Sequence, residues 1–228
     1  MNIVLAGYGK MGKMIEAALQ REHQHNIVLR INSSNNALLH NLSDYRADVV
    51  IDFSKPDVIE ENIRLYIQQQ IPAVIGTTGW YHRLEKWKAL CEKEQGSILW
   101  GSNFSIGVNL YFRIGQYAAS LLKHYPEYQV SITETHHKNK LDAPSGTALM
   151  LSQFVRTDQQ GTEVPIQSIR DEDSIGRHEL HYQSTCDQIT LIHNATNREG
   201  FALGSIRAAS WIIHHKGFHN FADIFEQL

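Results

Sequence analysis

Ile3-Val4-Leu5-Ala6-Gly7-Tyr8-Gly9-Lys10-Met11-Gly12 carries the fold of this chain in ten residues. A four-residue apolar run, as in a buried strand, meets a Gly-x-Gly-x-x-Gly turn. Met11, Met14, Ile15, Ala18 and Leu19 then follow at the three-to-four spacing of a helix with one buried face. In that strand–turn–helix setting one glycine permits a tight turn, one a close backbone approach to a pyrophosphate, and one the close packing of helix on strand. Unpaired N–H groups and the dipole at the helix start favour the anion. Gly7, Tyr8, Gly9, Lys10, Met11 and Gly12 are therefore candidate dinucleotide contacts.

The same rhythm continues outward. Runs at 27–31, 48–53, 73–75 and 98–100 are almost wholly apolar, as strands buried on both faces must be. Amphipathic stretches lie between them, marked by Ile59, Ile63, Tyr66 and Ile67, then by Leu84, Trp87, Leu90 and Cys91. Such alternation predicts right-handed βαβ units and a Rossmann-like, doubly wound parallel sheet, an α/β fold. After Trp100 the pattern changes. A long helix is expected over 108–122, then strands over 130–134, 164–169, 179–185 and 189–192, interrupted by a helix over 147–155. This predicts a second, α+β domain built on an open mixed sheet. Helical patterns from 205 to 215 and beyond 220 are expected to return to the first domain. The expected division is 1–104 with 205–228 for dinucleotide binding, and 105–204 for substrate binding and oligomerisation.

Composition narrows the function classes. A formal net charge of -3 gives no overall basic field for nucleic acid or a membrane surface. Cys91 and Cys186 are far apart and outside any CxxC spacing, so neither a disulfide framework nor a thiolate zinc site is expected. No apolar run approaches the ~20 residues that span a bilayer. The N-terminus runs directly into the first strand without a basic segment and apolar core, so a cytoplasmic location is expected.

The segment richest in chemistry is Glu134-Thr-His136-His137-Lys-Asn-Lys140-Leu-Asp142-Ala-Pro144-Ser145-Gly146-Thr147. Adjacent histidines leaving a strand point to opposite faces, so one can meet substrate while the other supports the wall or binds a carboxylate. Pro144 and the small residues Ser145, Gly146 and Thr147 open a helix whose free N–H groups and hydroxyls form a carboxylate cradle. Lys140 adds a point charge beside it. An acid-capable histidine, a lysine and an anion cradle suit reduction of an anionic substrate with a C=C or C=N bond. In such chemistry a nicotinamide cofactor supplies hydride and a general acid the proton. His178, His181 and His193 lack the neighbouring carboxylate or thiolate spacing of a zinc motif, so no metal is expected.

This stretch resembles the hallmark of the 4-hydroxy-tetrahydrodipicolinate reductase (dihydrodipicolinate reductase) family, Glu-x-His-His-x-x-Lys-x-Asp-x-Pro-Ser-Gly-Thr-Ala, met here from Glu134 to Ala148. Further matches run in family order: Asp52-Phe53-Ser54-Lys55-Pro56, Gly76-Thr77-Thr78-Gly79, Asn103-Phe104-Ser105-Ile106-Gly107, Ser168-Ile169-Arg170, Gly176-Arg-His178 and His193-Asn-Ala195. The resemblance implies NAD(P)H-dependent reduction of a small cyclic dicarboxylate in the diaminopimelate route of lysine biosynthesis. It implies His136 as proton donor with Lys140 assisting, and His137, Lys140, Ser145, Gly146 and Thr147 as substrate contacts. Gly76, Thr77, Thr78, Gly101, Ser102, Asn103 and Phe104 would line the nicotinamide half of the cofactor site, and the family is typically a homotetramer. Three features depart from its usual pattern: a glycine turn one residue tighter, Asp171-Glu172-Asp173 in place of a glycine-containing loop, and a short chain. A non-catalytic dinucleotide sensor would have no need of His136, Lys140 and the cradle together. A related two-domain dehydrogenase would share the first domain but not the His-His-x-x-Lys stretch.

Cofactor choice is written beyond the glycine turn. In NAD-selective folds an acidic residue about 20 positions on bonds the adenosine ribose 2′-hydroxyl and repels a 2′-phosphate. Here no Asp or Glu stands between Glu22 and Asp44. Ser33 and Ser34 offer hydroxyls instead, with Lys10 or Arg30 as nearby charge, so NADPH is expected to serve without NADH being excluded.

Overall fold

A computed structural model describes residues 1–138, 140–156 and 163–228. In chain order the first elements are β1 (Asn2–Ala6), α1 (Lys10–Glu22), β2 (Asn26–Ile31), β3 (Val49–Asp52), α2 (Pro56–Gln68), β4 (Ala73–Ile75), α3 (Leu84–Lys93) and β5 (Ser97–Trp100). Next come α4 (Ile106–Leu122), β6 (Gln129–His136), α5 (Gly146–Arg156), β7 (Ile166–Arg170), β8 (Arg177–Gln183) and β9 (Gln188–Asn194). The chain finishes with α6 (Glu199–Ile212), β10 (Gly217–Asn220) and the short α7 (Phe221–Ile224). It divides into two compact units, Met1–Ile106 with Glu199–Leu228, and Gly107–Arg198.

The first unit is a six-stranded parallel sheet in the order β10-β5-β4-β3-β1-β2. Period-two alternation sends Ile3 and Leu5 to one face and Val4 and Ala6 to the other, all without solvent exposure or nearly so. Ile15 and Leu19 of α1 and Ala208, Ala209 and Ile212 of α6 cover the first face. Ile59, Ile63 and Tyr66 of α2 and Trp87 and Cys91 of α3 cover the second. Helices on both faces are why these strands read as unbroken apolar runs. Proline at the start of α2, with its fixed φ and missing donor, suits a first helical position. The strand order reverses between β1 and its neighbours β2 and β3, the switch point where such sheets bind nucleotides outside the carboxyl ends of their strands.

The second unit is a four-stranded mixed sheet, β7-β6-β8-β9, with β7 parallel to β6 and the other pairs antiparallel. Ile132, Leu180 and Tyr182 face α4 and α5, packing with Val108, Tyr111, Phe112, Ala148, Leu151 and Val155. Ile169 and Ile192 lie on the opposite, uncovered face, 40% and 50% exposed. This is the α/β fold with a second open mixed sheet that the pattern predicts. Boundaries differ where pairing or turns decide them. β8 stops at Gln183 because Ser184 and Asp187 close a turn, the Ser184 N–H donating to the Asp187 carbonyl at 2.9 Å. The helix expected from 205 begins at Glu199, whose carboxylate suits the helix N-terminus. β10 and a 3₁₀ segment at Asn36–Tyr45 carry no periodic signal in the sequence and emerge only in the fold.

Candidate active site

The cofactor candidates of the first unit gather where the parallel strands end. Gly7 follows β1, Gly76, Thr77 and Thr78 follow β4, and Gly101 to Phe104 follow β5. Gly7 has φ +70°, and a Cβ there would stand 2.3 Å from the Phe53 carbonyl carbon and the Ser54 nitrogen. The β3–α2 loop thus presses directly on the glycine turn. Asp52, fully buried, fixes that loop by accepting from the Ser54 N–H at 2.7 Å, the Asn62 amide at 2.9 Å and the Tyr66 hydroxyl at 2.7 Å. The Thr77 hydroxyl donates to the Ser54 carbonyl at 2.9 Å, and Trp80 donates from its ring to the Thr77 carbonyl at 2.8 Å. Gly76 is pressed by the Phe53 ring, 2.1 Å from where its Cβ would be. The Asn103 side chain accepts from the Ser105 N–H at 2.8 Å, Phe104 is buried in the core, and Ser102 is exposed. By contrast a Cβ on Gly9 would meet only the Gly7 carbonyl oxygen, at 3.9 Å. α1 begins just after it, with no acidic residue in its first turn and no side chain capping it. An open, uncapped, anion-favouring helix start beside a turn that admits only glycine fits a dinucleotide pyrophosphate.

Ser33 and Ser34 are exposed after β2. Ser34 is turned inward, its N–H and hydroxyl both donating to Asn32 Oδ1 at 2.8 and 2.6 Å. Arg30 is held by Glu16, Nε to Oε1 at 3.0 Å, and Tyr8 donates its hydroxyl to the same carboxylate. Lys10 is exposed at the helix start, with Lys13 exposed one turn on.

In the second unit β6 extends through His136, which places Glu134 and His136 on the helix-covered face in line with Ile132. His178 lies directly across from Glu134 on β8, and Ser168 lies across from it on β7. Glu134 is fully buried, His136 is 7% exposed, His178 4% and Ser145 2%. Ser145 caps α5: its N–H donates to Glu134 at 3.0 and 3.1 Å, and its hydroxyl accepts from the Ala148 N–H at 3.2 Å. Glu134 therefore serves from the sheet the role that a capping-box glutamate plays from within a helix. The Ser168 hydroxyl donates to Glu134 Oε1 at 2.8 Å. His136 Nδ1 stands 3.5 Å from Glu134 Oε2, and His178 Nε2 lies 3.8 Å from it and 3.2 Å from the Ser145 hydroxyl.

Burial works against the charge of Glu134, but the Ser145 and Ser168 hydrogen bonds outweigh it and hold the carboxyl below its ordinary pKa. Burial lowers His136, partly opposed by Glu134, and pulls His178 down to about 4. Both shifts favour the uncharged rings, and that of Glu134 favours the ionised carboxylate beside them. Glu134, His136 and His178 offer ligand atoms within 4.8 Å of one another. The serine donors already occupy the carboxylate, and the two rings stand beside it at 3.5 and 3.8 Å.

The remaining predicted residues of the second unit lie in the segment between β6 and the first turn of α5. Gly146 is exposed with open space around it, and Thr147 is half-buried, together forming the start of α5. Lys140 pairs with Asp142 at 2.8 and 2.9 Å, and Arg170 donates to the Asp142 carbonyl at 2.8 Å. His137 is half-buried with Arg198 3.5 Å from its Nε2. Asn139 lies outside the described residues. His181 faces away from His178 and meets Thr190, while His193 packs against Tyr111. Sequence reasoning assigns no role to Glu134, Ser168, His178 or Asp52. Their only signal is membership of the motifs, because the partners lie on other elements, as far as 34 residues away for Ser168 and Glu134.

Comparison with known proteins agrees along the whole chain. The family model described as dihydrodipicolinate reductase, N-terminus, matches residues 1–104, and that described as dihydrodipicolinate reductase, C-terminus, matches 107–225. The chain is 37% identical to 4-hydroxy-tetrahydrodipicolinate reductase of Christiangramia forsetii, over 100% of this chain and 99% of that protein. It is 35% identical to the enzyme of the same name from Rickettsia bellii, over 100% and 96%. Among solved structures, dipicolinate-bound dihydrodipicolinate reductase from Paenisporosarcina sp. TG-14 superposes with a TM-score of 0.83 at 22% identity, covering 98% of this chain and 99% of that one.

Proposed function

The chain belongs to the dihydrodipicolinate reductase family, and from that premise we propose that the Glu134–His136–His178 network and the start of α5 form its substrate site. The protein is an NAD(P)H-dependent oxidoreductase that reduces 4-hydroxy-tetrahydrodipicolinate in the diaminopimelate route to lysine. The first unit is the dinucleotide-binding domain, in which Gly7 to Gly12 hold the pyrophosphate. Gly76 to Thr78 and Gly101 to Phe104 line the nicotinamide side. When bound, the reduced nicotinamide supplies the hydride. The second unit binds substrate.

One observation carries the site: a buried histidine stands 3.5 Å from the carboxylate that accepts from the residue capping an open helix start. His136 delivers the proton. The negative charges of a dicarboxylate raise its pKa on binding, so the acid charges when the substrate arrives. Gly146 and Thr147 receive one substrate carboxylate on free N–H groups, with Ser145 holding the helix start rigid beneath them. Lys140, exchanging Asp142 for substrate, and His137 meet the other. The uncovered sheet face with Ile169 and Ile192 supports assembly into a homotetramer through the second unit. No described helix is long and apolar enough to cross a membrane. We read the enzyme as cytoplasmic from its reaction class.

Lys140→Ala tests the substrate assignment. A partly buried carboxylate that loses a charge-assisted partner loses ~1.5–3 kcal/mol of binding. The expected result is a KM for substrate and a Ki for pyridine-2,6-dicarboxylate each higher by roughly 10–100-fold. Unchanged binding of that dicarboxylate would place Lys140 outside the site.

Cofactor choice gives a second expectation. With no carboxylate after β2, Ser33 exposed and Lys10 exposed at the helix start, kcat/KM for NADPH should equal or exceed that for NADH at fixed salt. A tenfold or greater preference for NADH, on the order of 1.4 kcal/mol, would overturn it. Ser33→Asp should shift the ratio towards NADH, because a carboxylate then faces the 2′-phosphate.

A further inference from the structure

The reaction's proton donor and its carboxylate cradle come from different elements, β6 and α5, yet they must be fixed relative to each other. One buried side chain touches both. Glu134 accepts the N–H of Ser145, the capping residue of α5, and stands 3.5 Å from Nδ1 of His136. That ring nitrogen is buried and has no hydrogen-bond partner among the described residues. On the other side of the ring, a Cβ on Gly176 would lie 3.2 Å from Nε2, so the absence of a side chain there leaves Nε2 free to face a reactant.

We propose that Glu134 is a positioning residue for the reduction, holding His136 through Nδ1 and the start of α5 through Ser145, so that one anion sets both acid and cradle. This rests on the reading of His136 as the acid. Without a proton at Nδ1, Nε2 would be the protonated nitrogen of the neutral ring and the buried carboxylate would face a lone pair. With the proton at Nδ1, the carboxylate 3.5 Å away faces an N–H and stabilises the imidazolium that forms when Nε2 gains its own. Ser168 and Ser145 keep the carboxylate ionised for that purpose. The other groups acting on His136 are Lys140 and Arg170, which oppose its protonation, Asp142, which favours it, and the neutral His178 in edge contact at 5.0 Å between ring centroids. Lys140 is paired with Asp142, so the charges left acting on the ring are the buried anion Glu134 and the opposing cation Arg170, which bonds main-chain carbonyls. His178 bonds the Ser145 hydroxyl, closing the network from β8.

The experiment compares Glu134→Gln, His136→Ala and the double variant in the intact protein. Glu134→Gln keeps an oxygen to accept from Ser145 and Ser168 but removes the charge. The basic limb of the kcat/KM pH profile should move to lower pH by about 1–3 units, with the fluorescence-measured Kd for NADPH unchanged. Added to His136→Ala, the same change should cost little more, since Glu134 acts through the missing ring. An unmoved pH profile, or an equal loss in both backgrounds, overturns the proposal. The fate of His136 as acid is read separately, from His136→Ala alone. Should Glu134→Gln fail to fold, ¹⁵N NMR of the wild-type histidines decides. Neutral His136 should carry its proton on Nδ1, with its pKa rising when pyridine-2,6-dicarboxylate binds. A proton on Nε2 overturns the proposal equally.

Discussion

His136→Ala is expected to lower kcat by ~10²–10⁴, the span usual for a positioned general acid, while the Kd for NADPH stays close to that of the wild type. The split follows from placement. His136 ends a strand of the second unit, and every predicted phosphate and nicotinamide contact belongs to the first. The residue is 7% exposed, lowered in pKa by burial, and beside a carboxylate whose donors favour its ionised form. Burial favours the neutral form of such a group in the free protein, and the charges of an entering dicarboxylate favour its protonation. Steady-state kinetics with substrate generated in situ by the preceding synthase, alongside fluorescence titration of the cofactor, check the result. Near-normal turnover with weakened cofactor binding would defeat the assignment. Truncating a buried ring also leaves a cavity, so the comparison needs a thermal melt showing that the second unit remains folded at the assay temperature.

Gly7→Ala should damage the other unit by a comparable amount. The left-handed φ of +70° costs an L-residue ~1–2 kcal/mol. The new methyl also meets main-chain atoms of Phe53 and Ser54 at 2.3 Å. These cannot swing aside, because Asp52 anchors the loop through Ser54, Asn62 and Tyr66. Overpacking of this kind costs ~1–3 kcal/mol, for a total of roughly 2–5 kcal/mol. The thermal transition of the first unit should fall by roughly 5–15 °C, and NADPH affinity should drop with it. Gly9→Ala separates stability from binding: its methyl enters open space, so the melt should barely move while the cofactor is excluded. Equal melting of wild type and Gly7→Ala would sink the argument for a locked turn.

Much of this is legible in the residues alone. Strands buried on both faces announce themselves as apolar runs, and helices between them as three-to-four repeats, because local periodicity reports which side of a segment meets the core. A glycine turn between strand and helix marks the candidate phosphate site, because the left-handed φ at Gly7 favours glycine and the helix start favours an anion. The Glu134-to-Ala148 stretch points to the chemistry, since its acid, lysine and cradle lie within one short segment. Tertiary structure decided whatever depended on pairing across the chain. β10 has four half-buried residues, too few for a period, and becomes a strand only because β5 offers it a parallel edge. Ser145 is a substrate contact by resemblance, and the fold adds that its N–H donates to Glu134 while its hydroxyl accepts from the Ala148 N–H and meets His178. Arg30 reads as a free cation but is held by Glu16. Above all, Glu134 meets Ser168 and His178 only through the register of β6 with β7 and β8. Such register is set by long-range backbone pairing and by the face each strand buries, and no local spacing encodes it.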